Sequence, residues 1–197
     1  MKVLTFLSDF QERLKTAPPV KRLLYSLGLT TVVLIFCSLF VFALYSLFDR
    51  YFFIVHTVTN SDIYGSFVCE RKPVKSISEL ERGDYVYFHY HGKKQYPQYG
   101  LVEGAPLVKM VWGLPGDSIR IDGEHVYING QMRARVLHAD RWGNPVDYFH
   151  FAGKVPKGKL FLLAPHPRSF DSRYWGFADL SWGIHKCWPL PLSELGG

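Results

Sequence analysis

The longest hydropathy pattern in the chain is one without alternation. From Leu23 to Phe48 there is no Asp, Glu, Lys, Arg or His, and Leu, Val, Phe, Ile and small residues dominate. About 20 apolar residues in a helix cross a hydrocarbon layer roughly 30 Å thick, so the run predicts one transmembrane helix over 23–48. A cleaved signal peptide carries an apolar core of only about 7–15 residues before a small-residue cleavage site, and this run exceeds it. Residues 1–22 are polar and basic, and Pro18 and Pro19 interrupt any helix ahead of the span.

Beyond the span the pattern changes to short β-branched and aromatic runs bounded by turn residues. Phe52 to Thr59 predicts a strand leading into a turn or loop at Asn60–Gly65. Asp84 to Tyr90 and Leu107 to Trp112 predict two more strands, the second ending at Gly113-Leu114-Pro115-Gly116. Ser118 to Ile121, His125 to Ile128 and Gln131 to Val136 are separated by the tight-turn pairs Asp122-Gly123 and Asn129-Gly130, which predicts a meander. Leu160 to Ala164 and Ser181 to Trp188 add two late strands. The fold expected is therefore mainly β: one β-rich domain over 49–197 behind a single N-terminal transmembrane helix. In 197 residues there is room for one such core besides the anchor.

Charge orients this arrangement. The net charge is +6, and Lys2, Arg13, Lys15, Lys21 and Arg22 precede the span while mainly Arg50 follows it closely. The bias of cations toward the cytoplasmic side makes residues 1–22 a cytoplasmic tail and places 49–197 outside, with the lipid bilayer as a partner. Topology thus accounts for much of the basic excess, and no nucleic-acid partner is needed to explain it. Cys69 and Cys187 then lie in an oxidising compartment, where they either pair or remain two thiols; their spacing does not choose.

Lys109 interrupts an otherwise apolar strand, Leu107-Val108-Lys109-Met110-Val111. Burial disfavours an ammonium, and a neutral amine can accept a hydroxyl proton, which would turn a nearby serine into a nucleophile without histidine or metal. A strand-edge lysine that reaches water is the commoner meaning of such a pattern.

Three separated segments resemble the signal peptidase I family. Glu81-Arg82-Gly83-Asp84-Tyr85-Val86-Tyr87-Phe88 is similar to its RGD-led strand, and Val108-Lys109-Met110-Val111-Trp112-Gly113-Leu114-Pro115-Gly116-Asp117 to its lysine-containing GLPGD segment. The third is Ser169-Phe170-Asp171-Ser172-Arg173-Tyr174-Trp175-Gly176, and the order, behind a membrane anchor, is also that of the family. The resemblance implies a signal-peptidase-like β-rich catalytic domain and a Ser/Lys-dyad endopeptidase that requires no cofactor. It places Ser61 as nucleophile, Lys109 as general base, and the Thr59 hydroxyl with the Ser61 backbone N–H as oxyanion hole. Ser169 is the hydroxyl that orients the lysine, Asp171 and Arg173 brace the site, and Asp84 is structural. The segment Thr59-Asn60-Ser61-Asp62-Ile63-Tyr64-Gly65 departs from the family in lacking the proline that follows the nucleophile, and Ser66 is the fallback nucleophile.

Within that family, Arg168-Ser169-Phe170-Asp171-Ser172-Arg173-Tyr174 and the short spacing from Lys109 to Ser169 are most similar to TraF-type peptidases of conjugative transfer. The implied substrate is a pilin or another exported precursor, with secretion-system components as possible partners and the inner membrane, periplasmic side, as location. A housekeeping signal peptidase, and an inactive membrane-tethered assembly factor whose nucleophile segment has drifted, are the alternatives. A metal is not expected: His89 and His91 would share one face of a strand, but no third ligand, HExxH or paired CxxC accompanies them.

Overall fold

The structure is a computed structural model that describes residues 16–57 and 65–190. Its described residues fall into two compact units that part at Arg50/Tyr51.

The first unit is formed by one helix, α1 (Pro19–Tyr51), of 33 residues, whose last residue falls past the division. It begins at the second proline rather than after it, because proline's fixed φ suits the first helical turn and its missing N–H would have no partner there. The apolar side chains are exposed along its length, from Leu23 to Phe48. Its hydroxyls bond back to the helix: Ser26 Oγ to the Leu23 carbonyl at 2.8 Å and Thr31 Oγ1 to the Leu27 carbonyl at 2.8 Å. A helix whose surface is mostly apolar between its charged ends, and whose hydroxyls bond back to its own carbonyls, suits a hydrocarbon environment, and this one is long and apolar enough to cross a membrane.

The second unit is built from antiparallel strands: β1 (Phe52–His56), β2 (Ser66–Glu70), β3 (Tyr85–His89), β4 (Pro106–Gly113), β5 (Ser118–Ile121), β6 (His125–Ile128), β7 (Gln131–Arg135), β8 (Ala152–Lys154), β9 (Lys159–Leu163), β10 (Ala178–Asp179) and β11 (His185–Leu190). A seven-stranded sheet runs β1-β2-β11-β3-β4-β9-β10, and a four-stranded sheet runs β7-β6-β5-β8. The predicted meander is β5-β6-β7, and Asn129 and Gly130, at φ 52° and 79°, make the left-handed turn between the last two strands. Three strands lie outside the predicted set. β8 and β10 are short, of three and two residues, and are held by their neighbours, whereas β2 is a five-residue strand paired on both sides, with Phe67 and Cys69 buried. The predicted strand over 181–188 begins only at His185, because Leu180–Trp182 forms a 3-10 turn capped by Asp179.

β9 joins the two sheets' cores. Its Lys-Leu-Phe-Leu-Leu is buried on both faces: Leu160 and Leu162 pack with Val86, Phe88, Val111 and Ile184, while Phe161 and Leu163 pack with Ile119, Val126 and Val155. The register between β4 and β9 shifts between Val111 and Gly113, and a Cβ on Gly113 would sit 2.8 Å from Phe161 Cβ. Only glycine allows that approach of strand to strand.

Two cross-links tie distant segments. Cys69 and Cys187 form a disulfide between directly paired residues of β2 and β11, 118 positions apart, which closes the choice the sequence left open. Arg82, just before β3, pairs with Asp117 after β4, with Arg82 Nε to Asp117 Oδ2 at 3.2 Å. Burial pushes the Asp117 carboxyl up, but hydrogen bonds from Asn129, the Leu114 N–H and Arg82 outweigh it and hold it below its ordinary value.

Reduction of the disulfide, or Cys69→Ala with Cys187→Ala, should lower domain stability by about 2–5 kcal/mol, read as a fall in Tm. Lys159 and the Ser181 N–H hold the Asp179 carboxyl at about 2 instead of 3.8. The stability this adds is complete above the ordinary value and lost as pH falls toward the lowered one, so Asp179→Asn should flatten the acid limb of a stability profile in that window.

Candidate active site

β4 carries Lys109 on the same face as Leu107 and Val111, opposite Val86 of β3, where alternation sends side chains into the apolar core. Lys109 is 3% exposed, so its amine is buried rather than reaching out to water. Its Nζ donates to Ser169 Oγ at 2.9 Å, and Ser169 is itself 2% exposed. A buried amine requires such fixed partners, since an unsatisfied one would lose its hydration without replacement.

Ser169 lies on the loop between β9 and a one-turn helix, α2 (Ser172–Trp175). What fixes this loop is Arg173. Its guanidinium grips Asp171 bidentately, Nε to Oδ1 and Nη2 to Oδ2 each at 2.8 Å, and both residues are at most 1% exposed. The remaining donors reach carbonyls of Pro167 at 3.0 Å, His166 at 3.3 Å, Ser169 at 3.0 Å and Arg135 at 2.9 Å. Asp171 caps α2 through the Arg173 N–H and accepts from the Ala164 N–H at 3.0 Å, which ties the loop to the end of β9. Burial pushes the guanidinium's pKa down, but the adjacent Asp171 carboxylate more than offsets it. Planar fork geometry makes this an arginine's task.

A cavity of about 550 Å³ opens over Lys109 and Ser169. One wall is aromatic: Phe170 stacks on Tyr174 with centroids 4.9 Å apart and contacts Tyr99 at 4.6 Å. The 137–146 turn also lines it, and in that turn Asp140 accepts from the Trp142 and Asn144 N–H groups, each at 2.9 Å. Sequence reasoning passed over this turn, although Asp140, Gly143 and Asn144 are turn residues and Gly143 takes φ 86°.

The other sequence-derived positions divide. Thr59 and Ser61 lie outside the described residues. Ser66 opens β2, 8% exposed, with its hydroxyl 2.8 Å from Nδ1 of His56, its cross-strand partner. Asp84 forms an ion pair with Lys186 at 2.8 Å and accepts from the Glu81 N–H at 2.8 Å; the Lys186 and His56 partnerships had no local signal because they join separate strands. β3 ends at His89, so His91 does not share its strand: His89 meets the Tyr87 hydroxyl at 3.1 Å, and His91 pairs with Glu103. No group of three or more His, Cys, Asp or Glu side chains placed to hold a metal occurs among the described residues.

Comparison with known proteins gives a consistent family. A family model described as signal peptidase, peptidase S26, matches residues 25–183. The chain is 34% identical over 154 residues to the conjugal transfer protein TraF of Agrobacterium fabrum, covering 71% of this chain and 76% of that one. It is 34% identical over 94 residues to probable signal peptidase I-2 of Synechocystis, covering 45% and 41%, and 31% identical over 121 residues to signal peptidase I of Leptolyngbya laminosa, covering 58% and 57%. The chain spans about half the length of these last two relatives.

Truncating Arg173 leaves the Asp171 carboxylate buried without its partner. Arg173→Ala should therefore destabilise the domain by about 3–5 kcal/mol in chemical denaturation, and Arg173→Lys should recover only part of the loss.

Proposed function

The chain belongs to the signal peptidase family, peptidase S26, and we propose that it is a membrane-anchored serine endopeptidase of exported precursor proteins, with Ser61 as nucleophile and Lys109 as general base. The observation that carries this reading is the buried Lys109 amine, hydrogen-bonded to Ser169 at 2.9 Å on the edge of a cavity. A lysine placed there for stability alone would be a poor choice, since an apolar residue would fill a core position with no charge to desolvate. A lysine that must shed its proton to work is favoured by the same burial.

In the proposed reaction Ser61 Oγ attacks a peptide carbonyl while its proton passes to Lys109 Nζ. The oxyanion is held by the Ser61 N–H and the Thr59 hydroxyl, and its collapse expels an amine that takes the proton back from Lys109. Water then cleaves the ester by the same transfer in reverse order of partners. Ser169, clamped from behind by Arg173, positions the amine. The described ends of the Ser61 segment, Thr57 and Gly65, are hydrogen-bonded to each other at 3.0 Å, N–H to carbonyl.

The apolar α1 supports a single-pass anchor in the inner membrane with the N-terminus cytoplasmic, and the Cys69–Cys187 disulfide supports an oxidising compartment for the β domain. Similarity to the conjugal transfer protein over 71% of this chain supports the narrower substrate, a pilin or another transfer precursor. The matches to signal peptidase I favour a second reading, general removal of signal peptides.

The test is processing of a candidate pilin precursor and of a general secretory precursor, each with the full chain in membranes. Ser61→Ala and Lys109→Ala should each cut cleavage by several orders of magnitude. Ser169→Ala should reduce it by about a hundredfold through misplacement of the amine, and Ser66→Ala should leave it intact. Normal processing by both dyad variants would end the assignment, and preference for the secretory precursor would select the second reading. The rate of the chemical step should rise from acidic pH through an alkaline limb as the amine loses its proton; a flat profile would count against Lys109.

A further inference from the structure

Among the described residues, two guanidinium groups on the cavity have no carboxylate partner. Arg168 and Arg141 both line it, and neither forms an ion pair among those residues. The one acidic residue that lines the cavity among the described residues, Asp140, is already committed. Its Oδ1 accepts two backbone N–H groups, and its Oδ2 accepts Asn144 Nδ2 at 2.9 Å and the Tyr99 hydroxyl at 3.4 Å.

Both cations also stand on fixed supports. Arg168 sits between Pro167 and Ser169, whose carbonyls Arg173 holds, and its own N–H donates to His166 Nδ1 at 3.1 Å. Arg141 follows the Asp140 anchor directly and lies over the Trp142 ring at 4.0 Å. Positive charge on rigid loops, with its neutralising group missing, is preorganised for an anion, because little ordering remains to oppose binding. The same cavity is lined by the contacting rings of Tyr99 and Phe170.

We infer that this cavity is the substrate subsite beside the scissile bond and that it selects a peptide segment bearing a carboxylate, gripped by Arg141 and Arg168, with an apolar neighbour against Tyr99 and Phe170. The inference rests on Lys109 being the reacting amine, since that residue places the cavity next to the bond to be cut. A carboxylate can come from an acidic side chain or from the end of a chain, and both present the same planar acceptor to a guanidinium.

The test reads binding apart from cleavage. Full-length Lys109→Met in detergent micelles is titrated calorimetrically with three short synthetic peptides of alanine and leucine. One has a central glutamate and an amidated end, one has glutamine and a free C-terminal carboxylate, and one has glutamine and an amidated end. At low salt at least one acidic peptide should bind about tenfold or more tightly than the neutral one. Whichever acidic peptide gains identifies the source of the carboxylate. Arg168→Gln and Arg141→Gln should each abolish most of the difference, Arg168→Lys should keep part of it, and added salt should shrink it.

Equal binding of all three peptides, no binding of any, or a preference unmoved by the glutamine variants would overturn the inference. Failure of the general-base reading is distinguished separately: cleavage by Lys109→Ala would remove that reading while the calorimetric preference stood or fell by itself.

Discussion

The hydrogen bond from Lys109 Nζ to Ser169 Oγ joins residues 60 positions apart and takes an amine out of water. Burial of a lysine is tolerable only where polar partners are held in place for it. Ser169 cannot supply that alone, because it stands on a loop. The loop is made rigid by Arg173, whose donors are spread over Asp171 and four backbone carbonyls, so a fully buried ion pair fixes a hydroxyl and the hydroxyl fixes the amine. In the proposed chemistry this chain of contacts does the orienting that an imidazole and carboxylate do in other serine hydrolases.

The sheet supplies the other half of the placement. β4 and β2 are separated by β11 and β3 in one antiparallel array, and the disulfide pins β2 to β11 across a directly paired position. The hairpin that leads into and out of residues 58–64 is thereby tied to the same sheet that holds Lys109. Arg82 and Asp117 tie the approach to β3 to the exit of β4. The motif segments that look unrelated along the chain are thus fastened to one another, one by an ion pair and another by the hydrogen bond to Ser169.

The arginines of the site illustrate two uses of one side chain. Arg173 has spent every donor inside the protein and is structural in effect, whereas Arg141 and Arg168 line an open cavity without an acidic partner among the described residues. The difference follows from Asp171, which faces Arg173, and from Asp140, whose oxygens are taken by its own turn. Burial and saturation, not residue type, separate the brace from the candidate contact.

The apolar run of α1, the strands β4 to β7 and β9, and the turns at Asp122-Gly123 and Asn129-Gly130 were legible from sequence alone, because their hydropathy patterns and turn residues are local properties. The lysine within Leu107–Val111 was conspicuous for the same reason. Its burial was not decided there, since alternation says which face a residue shares but not what covers that face. The three segments that resemble a family were legible as motifs, yet the grip of Arg82 on Asp117 and the closure of Cys69 on Cys187 became definite only in three dimensions. β8 and β10 carry too little pattern to be read and exist because a neighbouring strand offers its free hydrogen-bonding edge. The cavity was the least legible feature, for its walls come from the 97–101, 137–146 and 166–174 segments, and only packing brings them together.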